Sequence, residues 1–280
     1  MKKSLLVILS AVFMIFLAAC GSSDSSDSSS DEKTIKVGAS STPHAEILEA
    51  AKPLLEDEGI DLQIEEYQDY IFPNQDLANG DLDANYYQHI PYLDNYNEET
   101  EGEEDDIISL GAVHLEPMGI YSKNIKSVED IKEGTEVLVG RNPAEQGRVL
   151  SIFQNAGLIK ISDDVKPVNA TFDDIAENPK NLKFSMEVDP AILPETYERE
   201  EDALVVINTN YALEAGLKPS EDALILEETN SPYGNIIAAN PEDKDNEALQ
   251  KLMDVLHSDD IKQFIEEEYQ GAILPVDTTE

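Results

Sequence analysis

"TIKVGASSTPHAEILEAAKPLLEDEGIDLQI", residues 34–64, carries the pattern that decides the fold. Thr34 to Ala39 is a short run of strand character, and "SSTPH" reads as a turn. Apolar residues then recur at Ile47, Leu48, Ala51, Leu54 and Leu55, the spacing of one helix face, before Ile60, Leu62 and Ile64 alternate as a second strand. Strand, helix and strand in that order form a βαβ unit and predict a largely parallel sheet.

The same alternation continues outward. Pro73 opens and Gly80 closes a short helix, as their conformational preferences allow, and Ile107 to Val113 reads as a strand. A second series begins after Met118-Gly119-Ile120-Tyr121. Ser127 with Asp130 marks a capped short helix ending near Gly134. Val137 to Val139 is a strand, and Pro143 to Asn155 a helix carrying Val149, Leu150, Ile152 and Phe153, with Gly157 placed to end it. Leu182–Met186 and Ala203–Ile207 supply further strands, Tyr233–Ala239 a return strand, and Asn246–Tyr269 two closing helices. No short repeat is visible, which excludes a solenoid. Two βαβ sets joined by two extended crossovers imply an α/β fold of two lobes, 34–117 plus 236–280 and 118–235. The ligand cleft is expected at the strand ends between them.

The chain's start is an address. Lys2 and Lys3 precede an apolar run from Leu5 to Ala19, too short for the roughly 20 residues of a membrane span but suited to a signal peptide over residues 1–19. Leu17-Ala18-Ala19-Cys20 looks like the lipobox of bacterial lipoproteins, in which the cysteine is acylated, for example with palmitate. Cys20 is the one cysteine of the chain, so no intramolecular disulfide can form. Residues 20–33, rich in serine and aspartate, have nothing to bury and read as a disordered tether, with a reach of roughly 20 Å. The expected location is the extracytoplasmic face of the cell membrane, held by lipid. A net charge of −40 excludes nucleic acid and anionic membrane surfaces as partners by repulsion.

One cluster stands out of the composition: "DLDANYYQHIPYL", residues 81–93, holds Tyr86, Tyr87, His89 and Tyr92 in a chain with eleven tyrosines, four histidines and no tryptophan. It occurs in a series of motifs, "DYIFPN", "GDLDANYYQHIPYL", "EPMGIYSKNIKSVEDI", "GRVLSIFQNAGLIK", "ENPKNLKF", "VINTNYA" and "SPYGNII". In that order they resemble the NlpA/MetQ family of methionine-binding lipoproteins, from Thr34 to the end. The resemblance implies a type II periplasmic-binding-protein fold that closes on L-methionine and hands it to the permease of an ABC importer and, through it, to an ATPase. Carried over position by position, the family's aromatic pocket falls on Tyr70, Tyr87, His89 and Tyr92, and its amino-acid clamp on Arg148, Asn208 and Asn235. The chain departs from the family at one turn. Where an "NDPTN"-like sequence is usual, it reads Arg141-Asn142-Pro143-Ala144-Glu145, a charge pair in place of neutral amides, with Arg141 read as pairing Glu145 at the rim.

The residue chemistry fits an amino-acid ligand. Arg148, near the start of its helix, can take a carboxylate bidentately, and the positive helix end adds to it. Asn208 and Asn235 offer a carbonyl for an ammonium and a donor for a carboxylate. A thioether packs well on aromatic edges. Each residue also has a blander reading. Tyr86 and Tyr96 are assigned to the core, His89 alone would be a structural histidine, Arg148 a helix-surface arginine, and Asn208 a helix N-cap. Alternatives within the family are a methionine-containing dipeptide, D-methionine or a related amino acid. A more distant alternative is a zinc lipoprotein using His44, His89 and His114, which lie on separate elements without a His-x-His pair. No cofactor is expected. An enzyme is disfavoured, because there is no Gly-x-Ser-x-Gly elbow and no motif pairing the acids for catalysis.

Overall fold

The computed structural model describes residues 33–100 and 106–276. The signal peptide, Cys20 and the tether up to residue 32 lie outside the described residues.

The opening stretch folds as its periodicity predicts. Strand β1 (Lys33–Ser40) is buried along most of its length, helix α1 (Glu46–Asp57) buries Ile47, Leu48, Ala51 and Leu55, and β2 (Ile60–Tyr67) returns parallel to β1. Helix α2 (Phe72–Ala78) carries Pro73 in its first turn, and Gly80 follows it at φ 76°, a conformation glycine adopts at little cost. Strand β3 (Ala84–His89) is buried at every position. Helix α3 (Ile90–Glu99) follows it directly, and β4 (Ile108–Leu115) completes this run.

After Leu115 the chain crosses into a second sheet. It contains β5 (Gly119–Tyr121) and β6 (Glu136–Gly140), followed by helix α4 (Gln146–Asn155). It continues with β7 (Lys183–Val188), helix α5 (Leu193–Arg199), β8 (Leu204–Ile207), helix α6 (Thr209–Glu214) and β9 (Ile225–Leu226). The chain then returns to the first sheet as β10 (Gly234–Ala239), helices α7 (Glu247–Leu256) and α8 (Asp259–Tyr269), and β11 (Leu274–Pro275). No helix among the described residues is long and apolar enough to cross a membrane.

Both sheets are mixed, which corrects the expectation of a largely parallel sheet. The first has the order β11-β4-β10-β3-β1-β2, the second β9-β5-β8-β6-β7. β1 is parallel to both β2 and β3, but β10 runs antiparallel between β3 and β4. Likewise β8 is parallel to β6 and antiparallel to β5. The reversal arises because β10 enters from the second sheet rather than through a βαβ crossover, so it starts at the opposite end. Two further local corrections hold. Ser127–Asp130 closes only a single 3-10 turn over Val128–Asp130, and Pro143–Asn155 is split into a 3-10 turn, Pro143–Glu145, and α4.

Each sheet has its own core. Ile35, Val37 and Leu62 pack with Ile47, Leu48 and Leu55 of α1 and Leu249, Leu252 and Ile265 of α7 and α8. In the second, Val149, Leu150 and Phe153 of α4 pack on Ile120, Val137 and Leu204. Each such side chain contributes about 1.5–3 kcal/mol by burial, so both sheets are firm platforms for the residues at their ends.

Candidate ligand-binding site

The aromatic cluster is set in place by buried amides. Asn74 of α2 and Asn85 and Gln88 of β3 are 0–2 % exposed and bond to one another over 2.7–3.0 Å. Because buried amides demand partners, this network fixes β3 against α2. His89 then serves as N-cap of α3: its Nδ1 accepts the Tyr92 N–H at 3.2 Å, which assigns the ring's proton to Nε2. That Nε2–H donates to Glu145 Oε1 at 2.7 Å. Tyr70, Tyr87 and Tyr92 stand with ring centroids 5.8–6.4 Å apart. The Tyr92 hydroxyl donates to the Tyr70 carbonyl and the Tyr70 hydroxyl to Asn210 Oδ1, each at 2.6 Å.

From the second sheet comes α4, whose start is pressed against a neighbouring segment. A Cβ at Gly147 would stand inside contact distance of the Pro167 carbonyl and 2.6 Å from that of Val168. Backbone cannot swing aside as a side chain does. Gly147→Ala is therefore expected to cost about 1–3 kcal/mol of stability, in the range of overpacked sites, and to move Arg148, read as a lower melting temperature together with weaker ligand binding.

Arg148 is 4 % exposed, so it is no surface arginine. The two-pronged grip expected for a ligand carboxylate is made here to Glu227, whose Oε2 accepts from Nε at 3.0 Å and Nη2 at 2.7 Å; Nη2 also donates to the Glu116 carbonyl at 2.7 Å. Its Nη1 lies 3.7 Å from Glu145 Oε2. Burial opposes the charge, but Glu227 and Glu145 outweigh it and raise the pKa. Burial would also raise the Glu145 carboxyl, yet His89 and Arg148 hold it below the usual value. The expected rim pair is thus corrected: Arg141 is exposed and reaches Asp189 at 3.4 Å, while Glu145 turns inward.

His44, from the turn after β1, meets His114 and Glu116 at the end of β4, so histidines on different elements, as the sequence indicated, still come together. Their ligand atoms lie within 4.8 Å of one another. His44 and His114 approach Glu116 Oε1 at 3.2 and 2.8 Å through Nε2, and Tyr86 caps His114 Nδ1. The remaining Glu116 oxygen accepts the Asn210 N–H at 3.1 Å. The His114 contact is a hydrogen bond, whereas the bond of His44 Nε2 goes to Asn235 Oδ1 and leaves Glu116 as its close neighbour. His89, the third histidine of the zinc alternative, goes to Glu145 instead. Burial lowers His44 to about 4, an effect Glu116 offsets in part, and lowers His114 to about 3; Glu116 itself is raised by burial.

Tyr70, Tyr87, His89, Tyr92, Arg148, Asn208 and Asn235 all line one cavity, whose space free of protein atoms is about 400 Å³ when the open solvent at its mouth is included. Asn208 is the N-cap of α6 by position, but its side chain makes no capping bond. Asn235 Oδ1 faces His44 Nε2 at 3.1 Å. Sequence reading did not single out Gln88, Glu116, Thr209 or Asn210 of this wall, and it had given two further polar members, His44 and Glu145, to the zinc alternative and to the rim. Glu116 was within reach as the acid of the "EPMG" motif, and Glu145 as the acid of the departing turn. The wall therefore offers aromatic faces at one end and opposed charges, guanidinium and carboxylates, at the other. That arrangement can hold a small zwitterion with an apolar side chain.

Known proteins resemble the chain along nearly its whole length. The model of the NlpA lipoprotein family matches residues 35–277. A Bacillus subtilis protein named methionine-binding lipoprotein MetQ is 47 % identical, with 99 % of each chain covered. Among solved structures, a Burkholderia cenocepacia nutrient-binding protein bound to methionine is 39 % identical with a TM-score of 0.80, covering 87 % of this chain and all of its own. A periplasmic substrate-binding protein of an ABC transporter from Coxiella burnetii is 36 % identical, also at TM-score 0.80, covering 86 % of this chain and all of its own.

Proposed function

The chain belongs to the NlpA lipoprotein family, and from that premise we propose that it captures L-methionine outside the cytoplasm and delivers it to the permease of an ABC transporter. It is a substrate-binding protein rather than a catalyst, tethered to the membrane by lipid on Cys20. One observation carries the reading: one cavity joins the tyrosine walls to the buried Arg148 and to two buried carboxylates. The tyrosines suit a thioether, and the charges suit an α-amino acid head. The binding residues on this reading are Tyr70, Tyr87, His89, Tyr92, Arg148, Asn208 and Asn235, with the lobes 34–117 plus 236–280 and 118–235 closing over the ligand. The methionine-bound Burkholderia structure supports the ligand, and the Coxiella protein supports the transporter role.

The direct test is calorimetric titration of the soluble domain with L-methionine, backed by mass spectrometry of any ligand released from freshly purified, denatured protein. Tyr87→Ala and Tyr92→Ala should each weaken binding by about ten- to a hundredfold, the equivalent of losing one buried apolar contact of about 1.5–3 kcal/mol. Tyr87 is the more buried of the two, so its replacement should cost more. Unchanged affinity in both variants would return these tyrosines to a purely structural role.

A further inference from the structure

We propose that Glu145 is a specificity-determining residue, one that admits ligands bearing a free α-ammonium by accepting that group on the oxygen that no hydrogen bond engages. The inference rests on the amino-acid reading of the cavity and adds a residue to it.

Three buried carboxylates surround the guanidinium end of the site, and they differ in how well they are satisfied. Glu116 accepts from His114 on one oxygen, with His44 3.2 Å from the same atom, and from the Asn210 N–H on the other. Glu227 takes Arg148 and the Met118 N–H on Oε2 and the Ser231 hydroxyl on Oε1. Glu145 accepts from His89 through Oε1, but its Oε2, in a residue 5 % exposed, has no hydrogen-bond partner among the described residues. A buried charged oxygen without a hydrogen-bond donor is costly, and Glu145 lines the cavity. It is the place where a ligand donor gains most.

The neighbouring groups specify which donor. Arg148 Nη1 lies 3.7 Å from the same oxygen and is not used by Glu227 or by the Glu116 carbonyl. Asn210, another residue of the cavity wall, has an Nδ2 with no hydrogen-bond partner among the described residues. An unfilled acceptor beside unfilled donors matches a carbon that bears an ammonium and a carboxylate together. A 2-hydroxy acid brings the carboxylate without the charge for Glu145. An N-acylated amino acid brings a neutral, bulkier amide.

The test is titration of wild type and Glu145→Gln with L-methionine and with its hydroxy analogue, 2-hydroxy-4-methylsulfanylbutanoate. Glutamine keeps the shape and an acceptor for His89 while removing the charge. Wild type should prefer methionine by tenfold or more, and in Glu145→Gln that preference should collapse toward unity, chiefly through a loss of about ten- to a hundredfold in methionine affinity, the range of one charge-assisted hydrogen bond. A merely structural role would weaken both ligands alike and leave their ratio unchanged, and that result overturns the assignment. So does a wild type that binds both ligands equally, whatever the variant does. If wild type binds neither, the amino-acid reading itself fails and Glu145's role falls with it; if wild type binds methionine selectively and the variant keeps the selectivity, the inference about Glu145 alone is lost.

Discussion

Replacing Arg148 with alanine is expected to weaken methionine binding by a hundredfold or more and to lower stability by about 3–5 kcal/mol, the cost of breaking a buried ion pair. Two separate losses combine. A charge-assisted hydrogen bond to a ligand carboxylate is worth about 1.5–3 kcal/mol, or up to about a hundredfold in affinity. The second loss is structural. The guanidinium ties α4 to the Glu116 carbonyl after β4 and to Glu227 after β9, the two stretches by which the chain passes between its sheets. Its removal leaves Glu227 and Glu145, both buried, facing one cation fewer. Arg148→Lys should restore only part of either effect, because an ammonium cannot span Glu227 and the Glu116 carbonyl as the planar fork does. Arg141→Ala is the control: its side chain is 63 % exposed and its partner Asp189 lies 3.4 Å away, so affinity and melting temperature should hardly move. Calorimetry and thermal melts on the three variants check this. Full binding by Arg148→Ala would remove the clamp from this residue.

Stability should also fall steeply as the pH drops from about 6.5 toward 4. His44 and His114 are buried and stay neutral in the native chain until about pH 4 and 3, whereas in the unfolded chain each takes a proton near 6.5. Below 6.5 the unfolded state therefore binds more protons, and native stability declines with falling pH. A pKa difference of one between the folded and unfolded chain is worth about 1.4 kcal/mol. The two rings together therefore account for several kcal/mol, a large share of the roughly 5–15 kcal/mol of a typical domain. Glu116 works in the opposite sense, since its raised pKa lets the native state take a proton before the unfolded one does, and it offsets part of the loss near its own titration. Urea unfolding at pH 7 and pH 5 measures the slope. His114→Gln keeps a donor for Glu116 and removes one titrating ring, so its slope should flatten by about one proton. Equal stability of wild type at the two pH values would refute the account.

Much of this could be read along the chain because helix and strand periods are local. The spacing of Ile47, Leu48, Ala51 and Leu55 defines one face of α1 within a few turns, and the alternation of Ile60, Leu62 and Ile64 suffices for β2. Motif resemblance went further and named seven residues that do line one cavity. What the chain order could not convey is which strands become neighbours. The return of β10 between β3 and β4 brings Asn235 to His44, 191 residues away, and makes the first sheet mixed. Tertiary structure likewise decided the polar partners: His89 with Glu145 across 56 residues and Arg148 with Glu227 across 79. In sequence, Glu145 is one acid among 59 acids and Arg148 one base among 19 bases, indistinguishable by type from solvated surface charges. Burial separates them, because a charge removed from water must find its counter-charge or its hydrogen-bond donors within a few ångströms, and the packing of the two sheets alone determines which groups are that close.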